Sequence, residues 1–201
     1  MNPRRRSLLA LPLLLGGCSL FPASRPDAPT LHTLLAEGAQ KTVARRATVI
    51  EVTPPRAAAG FDTAQMAYVE RPYELGYFAT HRWVDTPPRM LAPLLVRALE
   101  RTNAFAAVVP AAGNGAADFR LDIELVRLQQ DFTMRPSREQ VALRAQLTDL
   151  RARRVVAARL FEDEERAPSD DPAGGVVAAN AALQRILDRL VAFCLEESAP
   201  A

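Results

Sequence analysis

The sequence predicts an α/β (α+β) domain: a mixed, largely antiparallel sheet with two amphipathic helices packed on one face. Three observations predict it. Phe119, Leu121, Ile123 and Leu125 alternate with Arg120, Asp122 and Glu124, and Val141, Leu143, Ala145 and Leu147 alternate with Arg144 and Gln146. A period of two is that of a strand with one buried face. Met90, Leu91, Leu94, Leu95, Ala98 and Leu99 recur at three-to-four spacing, as do Val176, Ala179, Leu183, Ile186, Leu187, Leu190 and Cys194. Each set is one apolar stripe of a helix. Elements that are apolar on one side only must bury those sides together, and two helices on one sheet face is the simplest solution.

In chain order, Thr30 to Leu34 reads as a short strand. Ala47 to Thr53 is rich in β-branched residues and stops at Pro54-Pro55. Phe61 to Val69 and Glu74 to Thr80 are two more strands, with Arg71-Pro72 between them as the turn of a hairpin. Thr86 is placed to N-cap the first helix, Pro87 and Pro88 suit its first turn, and Asn103 is its stop. Phe105 to Val109 follows as a strand. Pro110 to Ala117 contains Gly113-Asn114-Gly115 and forms a turn or loop. The two alternating runs and Val155 to Glu162, joined through the charged turn Arg151 to Arg154, make an antiparallel meander. Ala167 to Gly175 is a Pro/Asp/Gly loop, and the last helix runs from about Gly175 to Glu197.

The chain ahead of this domain is of another kind. Arg4, Arg5 and Arg6 precede the apolar run Leu8 to Leu15, which only Pro12 interrupts, and Gly16-Gly17-Cys18 follow. That is a secretory signal with small residues before a cleavage site. The run is too short to span a bilayer, which takes ~20 apolar residues. The cysteine directly after the glycines makes Leu15-Gly16-Gly17-Cys18 resemble a bacterial lipobox, which implies a lipidated Cys18 as the new N-terminus. An ordinary signal peptide with an incidental cysteine and a short uncleaved anchor are the alternatives. Several acyl chains anchor stably, because each buried methylene contributes ~0.8 kcal/mol while one chain alone is marginal. By analogy with the enterobacterial sorting rule, Ser19 in place of Asp favours the outer membrane. Residues 19 to 29 hold three prolines and read as an extended tether. The expected organisation is a signal peptide at 1–17, lipidated Cys18 and tether at 18–29, and a single domain at 30–197.

Composition narrows the function. Apolar content of 49% suffices for a core. The formal charge is +2, but three of the 25 basic residues precede Cys18, leaving 22 against 23 acidic residues in the mature chain. Nothing in this balance favours a nucleic-acid partner. Arginine outnumbers lysine 24 to 1, which points to a GC-rich genome rather than phosphate binding. With Cys18 assigned to lipid, Cys194 has no intramolecular partner; a buried thiol is expected, an intermolecular disulfide being the alternative.

Candidate chemistry is sparse. The two histidines, His32 and His81, read as surface or core fillers. No Gly-x-Ser-x-Gly elbow and no His-x-x-x-His or Cys-x-x-Cys spacing occurs, so neither catalytic residues, nor a metal site, nor a cofactor is expected. Consecutive charges in Glu162-Asp163-Glu164-Glu165 point to opposite faces of a strand, so a solvated strand end is expected, with a divalent cation or basic partner as the alternative. Tyr73, Tyr77, Phe78 and Trp83 form the main aromatic cluster. It reads as hairpin packing or as an interface, where Tyr and Trp are enriched. Arg82 beside Trp83 is placed to stack on a partner ring. These five are the partner-binding candidates.

The order of features resembles a known family. Tyr73-Glu74-Leu75-Gly76-Tyr77-Phe78, His81-Arg82-Trp83-Val84-Asp85 and Pro87-Pro88-Arg89-Met90-Leu91 come in succession. An amphipathic helix and Phe105-Ala106-Ala107-Val108-Val109 follow. Then come Phe119-Arg120-Leu121, Phe161, Ala167-Pro168 and Ala179-Asn180-Ala181-Ala182-Leu183. Over about residues 30 to 195 this resembles the ABC-type transport auxiliary lipoprotein family, which includes the paraquat-inducible protein C type. Two departures are His32-Thr33-Leu34 in place of a Tyr-x-Leu strand and Phe193-Cys194 in place of a C-terminal tryptophan; both positions look structural. The resemblance implies a non-enzymatic, periplasm-facing outer-membrane lipoprotein of an MCE-type lipid transport system. Its partners would be an MCE-domain protein and an ABC permease and ATPase, with homo-oligomers suggested by relatives. A different envelope assembly factor, such as a pilot for an outer-membrane channel, is the alternative; a periplasmic hydrolase is weakened by the missing triad.

Overall fold

The computed structural model describes residues 28–36, 44–111 and 117–199. Its elements are β1 (Thr30–His32), β2 (Val49–Val52), β3 (Arg56–Ala57), β4 (Gln65–Arg71), β5 (Glu74–Trp83), α1 (Pro87–Glu100), β6 (Ala107–Pro110), β7 (Phe119–Asp131), β8 (Arg138–Asp149), β9 (Arg154–Arg166) and α2 (Pro172–Glu197). The nine strands form one mixed sheet that does not close. As expected, β7, β8 and β9 are an antiparallel meander: Asp131 faces Arg138 across the first turn, and Asp149 faces Arg154 across the second. The hairpin β4–β5 is also present.

The opposite edge of β7 holds three short strands laid end to end, all parallel to it. Ile50 pairs with Phe119, Arg56 with Glu124, and Ala67 with Gln129. β6 extends the sheet beyond β2, and β5 then β1 extend it beyond β4. β7 is therefore the spine. It also runs six residues beyond the alternation that reveals it. A register shift between Leu125 and Arg127 inserts a bulge. Before it Leu121, Ile123 and Leu125 are buried; after it Leu128 and Gln130 are. One extra residue moves the buried set from odd to even positions, and that hides the continuation from a period-two reading.

Both helices lie against this sheet and touch each other. α1 packs Leu91, Leu95 and Leu99 inward; α2 packs Leu183, Ile186 and Leu187. The Thr86 side chain makes no capping bond. α2 starts three residues earlier than the periodicity indicates. Asp171 is its N-cap, with the carboxylate accepting from the Gly174 N–H at 2.7 Å, and Pro172 occupies the first turn. Asp-Pro, read as loop chemistry, is here a helix start. Gly175 permits α2 to approach β7, since a Cβ there would lie 2.3 Å from Gln130 Oε1. Cys194 is fully buried, and burial pushes its thiol up to about 12, which makes it an inert small hydrophobe.

Glu139 lies in register with Gln130 on β8 and is 4% exposed. Burial raises its carboxyl well above the ordinary 4.5. The folded chain thus holds this proton more tightly than the unfolded one. The stability it contributes is complete below about pH 4.5 and is lost as pH rises toward the raised value. Glu139→Gln is expected to gain about 1 kcal/mol at pH 7.5, or about 3 °C, and much less at pH 4.5. Thermal melts at the two pH values measure it; equal shifts at both would contradict the role of ionisation.

Candidate partner-binding surface

The β4–β5 hairpin carries the five aromatic and basic candidates, and its geometry separates them. Arg71 and Glu74 are paired, leaving Pro72 and Tyr73 as the two-residue tip. Proline first and a positive φ second is the pattern of a type II turn, whose second position suits Gly or Asn. Tyr73 occupies it at φ 69 and is fully exposed. A non-glycine residue held there costs on the order of 1 kcal/mol. The Arg71–Glu74 ion pair, 3.2 Å apart with side chains 74% and 63% exposed, contributes little.

β5 is irregular next. Tyr77 pairs with Ala67 while Arg82 pairs with Gln65, so five steps of β5 match two of β4. Phe78 lies within this bulge and Trp83 just after it, and both still pack toward the core. Trp83 is 4% exposed. It is a core residue rather than part of a surface. Tyr77 is half-buried and its hydroxyl donates to the Gly60 carbonyl at 3.1 Å. Arg82 is exposed. Phe78 joins Tyr68 at 4.7 Å between ring centroids and Phe132 at 6.2 Å, both half-buried. Tyr68 and Phe132 come from β4 and the β7–β8 loop, so only the strand order reveals this cluster.

The histidines meet. His32 Nε2 and His81 Nδ1 are 2.9 Å apart, across 49 residues of sequence, with rings stacked at 5.2 Å. β1 pairs parallel to β5 with His32 opposite Trp83, which brings His81 within reach. Burial first, and then the neighbouring His81, hold His32 below its usual 6.5. The neutral His32 ring is therefore favoured on folding, and its contribution weakens as pH falls below 6.5.

The acidic run alternates as expected but is engaged rather than simply solvated. Asp163 meets Arg185 at 2.6 Å and Arg189 at 3.0 Å on α2, and Glu165 meets Arg185 at 2.7 Å. Glu162 and Glu164 face Arg127 and Arg138. Arg189 and Arg185 also donate to the carbonyls of Glu162 and Glu164, which covers part of β9's edge and blunts strand-to-strand association.

At the far end of the sheet a cleft of about 630 Å³ is bordered by Arg46, Asp118, Asp149, Arg151 and Glu197. Its charges are engaged: Arg151 pairs with Asp118 at 2.5 Å, Arg46 donates to the Leu195 carbonyl at 2.7 Å, and Glu197 meets Arg159 at 3.8 Å. Among the described residues no three His, Cys, Asp or Glu side chains gather as metal ligands, and no helix is long and apolar enough to cross a membrane. Cys18, most of the tether and Gly113-Asn114-Gly115 lie outside the described residues.

Comparison with known proteins places this geometry. Residues 32–191 match the family model described as the ABC-type transport auxiliary lipoprotein component. A Bradyrhizobium diazoefficiens protein is 29% identical over 144 residues, covering 72% of this chain and only 38% of that relative. A crystal structure of a Xanthomonas campestris protein superposes with TM-score 0.71 at 27% identity, over 85% of this chain and 94% of that one. A hypothetical protein from Chlamydia trachomatis shares the fold at TM-score 0.51 and 9% identity, over 74% of this chain and 96% of that one.

Proposed function

Since the chain belongs to the ABC-type transport auxiliary lipoprotein family, we propose that it is a non-catalytic, lipid-anchored subunit of an MCE-type transporter that moves lipid between membranes. The observation that carries the reading is the family match over residues 32–191 directly behind Leu15-Gly16-Gly17-Cys18. The anchor holds the domain at the periplasmic face of the outer membrane. ATP hydrolysis belongs to another subunit. This chain contributes binding: a tether raises the local concentration of the domain near its partners, so modest contacts suffice. Tyr77, Phe78 and Arg82 along the hairpin supply contact surface to the MCE subunit, and Trp83 supports them from the core. Assembly into homo-oligomers belongs to the same proposal. Affinity purification of the membrane-extracted protein tests it: MCE and ABC subunits are expected to co-purify.

A further inference from the structure

The described chain enters β1 from one particular end of the sheet. β1 runs parallel to β5, with Thr30 beside His81. Ala28 and Pro29 therefore come from the side on which β5 begins, the side of the hairpin tip. Four other features share this end. Val69 of β4 pairs with Asp131 at the end of β7, so the β7–β8 loop is there; Arg138 pairs with Arg166, so β9 ends there and α2 begins. The opposite end holds Asp149 and Arg154.

Three large apolar groups stand in solvent at the tether end, as others do elsewhere on the domain, Leu35 and Val155 among them. Tyr73 is 106% exposed at the hairpin tip, Leu75 beside it 40%, and Met134 in the β7–β8 loop 49%. Two ion pairs lie beside them: Arg71 with Glu74, and Arg135 with Asp170 at 3.2 Å. An aromatic ring with a polar tip, flanked by apolar side chains and paired charges, suits the boundary between headgroups and acyl chains.

The lengths agree. Glu74 precedes His81 by seven residues, at most ~23 Å of strand. Residues 19 to 29 reach ~30 Å when extended. A tether of that length, if extended, would reach the level of the hairpin tip with ~7 Å to spare. We propose that Tyr73, Leu75 and Met134 seat the body on the phospholipid surface that holds its lipid anchor. The seat explains why a fully exposed tyrosine occupies a turn position that glycine would fill with less strain. It rests on lipidation of Cys18, and it fixes which end of the domain faces away from the membrane.

The test uses the full-length lipidated protein in vesicles of phosphatidylethanolamine and phosphatidylglycerol, with and without brominated acyl chains. Tyr73→Trp keeps an aromatic at the tip; Val155→Trp puts one at the opposite end, where Val155 is 50% exposed. Trp83, buried in every variant, sets the background. Brominated lipid is expected to quench roughly half of the emission added at 73 and little of that added at 155. Raising salt from about 0.1 to about 0.5 M should not reverse it, since the contact is apolar. Protein that floats with the vesicles but shows no quenching at 73, or equal quenching at both positions, overturns the seat and leaves the anchor standing. Protein that does not float overturns both.

Discussion

Cys18→Ala is expected to remove the protein from the membrane fraction almost completely. Each acyl methylene contributes ~0.8 kcal/mol of membrane affinity, so loss of all the chains on one cysteine outweighs any contact the body makes. Three exposed side chains at the tether end bury too little surface to hold the domain alone, because fully burying a Leu or Met side chain gives only ~1.5–3 kcal/mol. Flotation of membranes and immunoblotting measure the loss. Processing is expected to fail at the same time, leaving a precursor heavier by the signal peptide or a soluble form. Partitioning unchanged from wild type would contradict lipidation at this residue and, with it, the account of how the domain is held.

Trp83→Ala is expected to cost about 3–5 kcal/mol of folding stability, the range for removing a large aromatic from a core. Trp83 closes β5, sits opposite His32 of β1 and belongs to the main apolar cluster at 4% exposure. For a domain of this size the melting temperature should fall on the order of 10 °C. Substitution at Arg82, its exposed neighbour, should stay within about 0.5 kcal/mol. Calorimetry or circular dichroism separates the two. A wild-type melting curve for Trp83→Ala would contradict the core assignment and return this residue to the surface.

The contrast between Trp83 and Tyr73 shows where the sequence is and is not readable. Alternation marks a strand face, and helical spacing marks a stripe, because each reports the burial of one side of one element. The meander β7–β8–β9 and the stripes of α1 and α2 are accordingly plain in the residues. Pairing between distant strands leaves no such local mark, so the succession of β2, β3 and β4 along β7 is visible only in the structure. Bulges do more damage than distance. The one at Leu125/Arg127 conceals the second half of β7, and the one between Tyr77 and Arg82 splits the aromatic run across two environments. Tyr73, Tyr77, Phe78 and Trp83 look like one cluster in sequence because they are close in number. In space Tyr73 is a tip, Trp83 is core, and Phe78 belongs with Tyr68 and Phe132. The His32–His81 contact depends on β1 joining β5, which no residue near either histidine signals.

The proposed role of this domain is that of a membrane-held auxiliary subunit of an ABC-type lipid transporter. The most direct measurement is purification of the detergent-extracted, lipidated protein from its native membranes under mild conditions. Co-purifying chains are then identified by mass spectrometry, and Cys18→Ala is carried in parallel. Wild type is expected to bring down an MCE-domain protein together with an ABC permease and ATPase, and Cys18→Ala far less of all three. Recovery of the wild-type protein without any MCE or ABC subunit would contradict it.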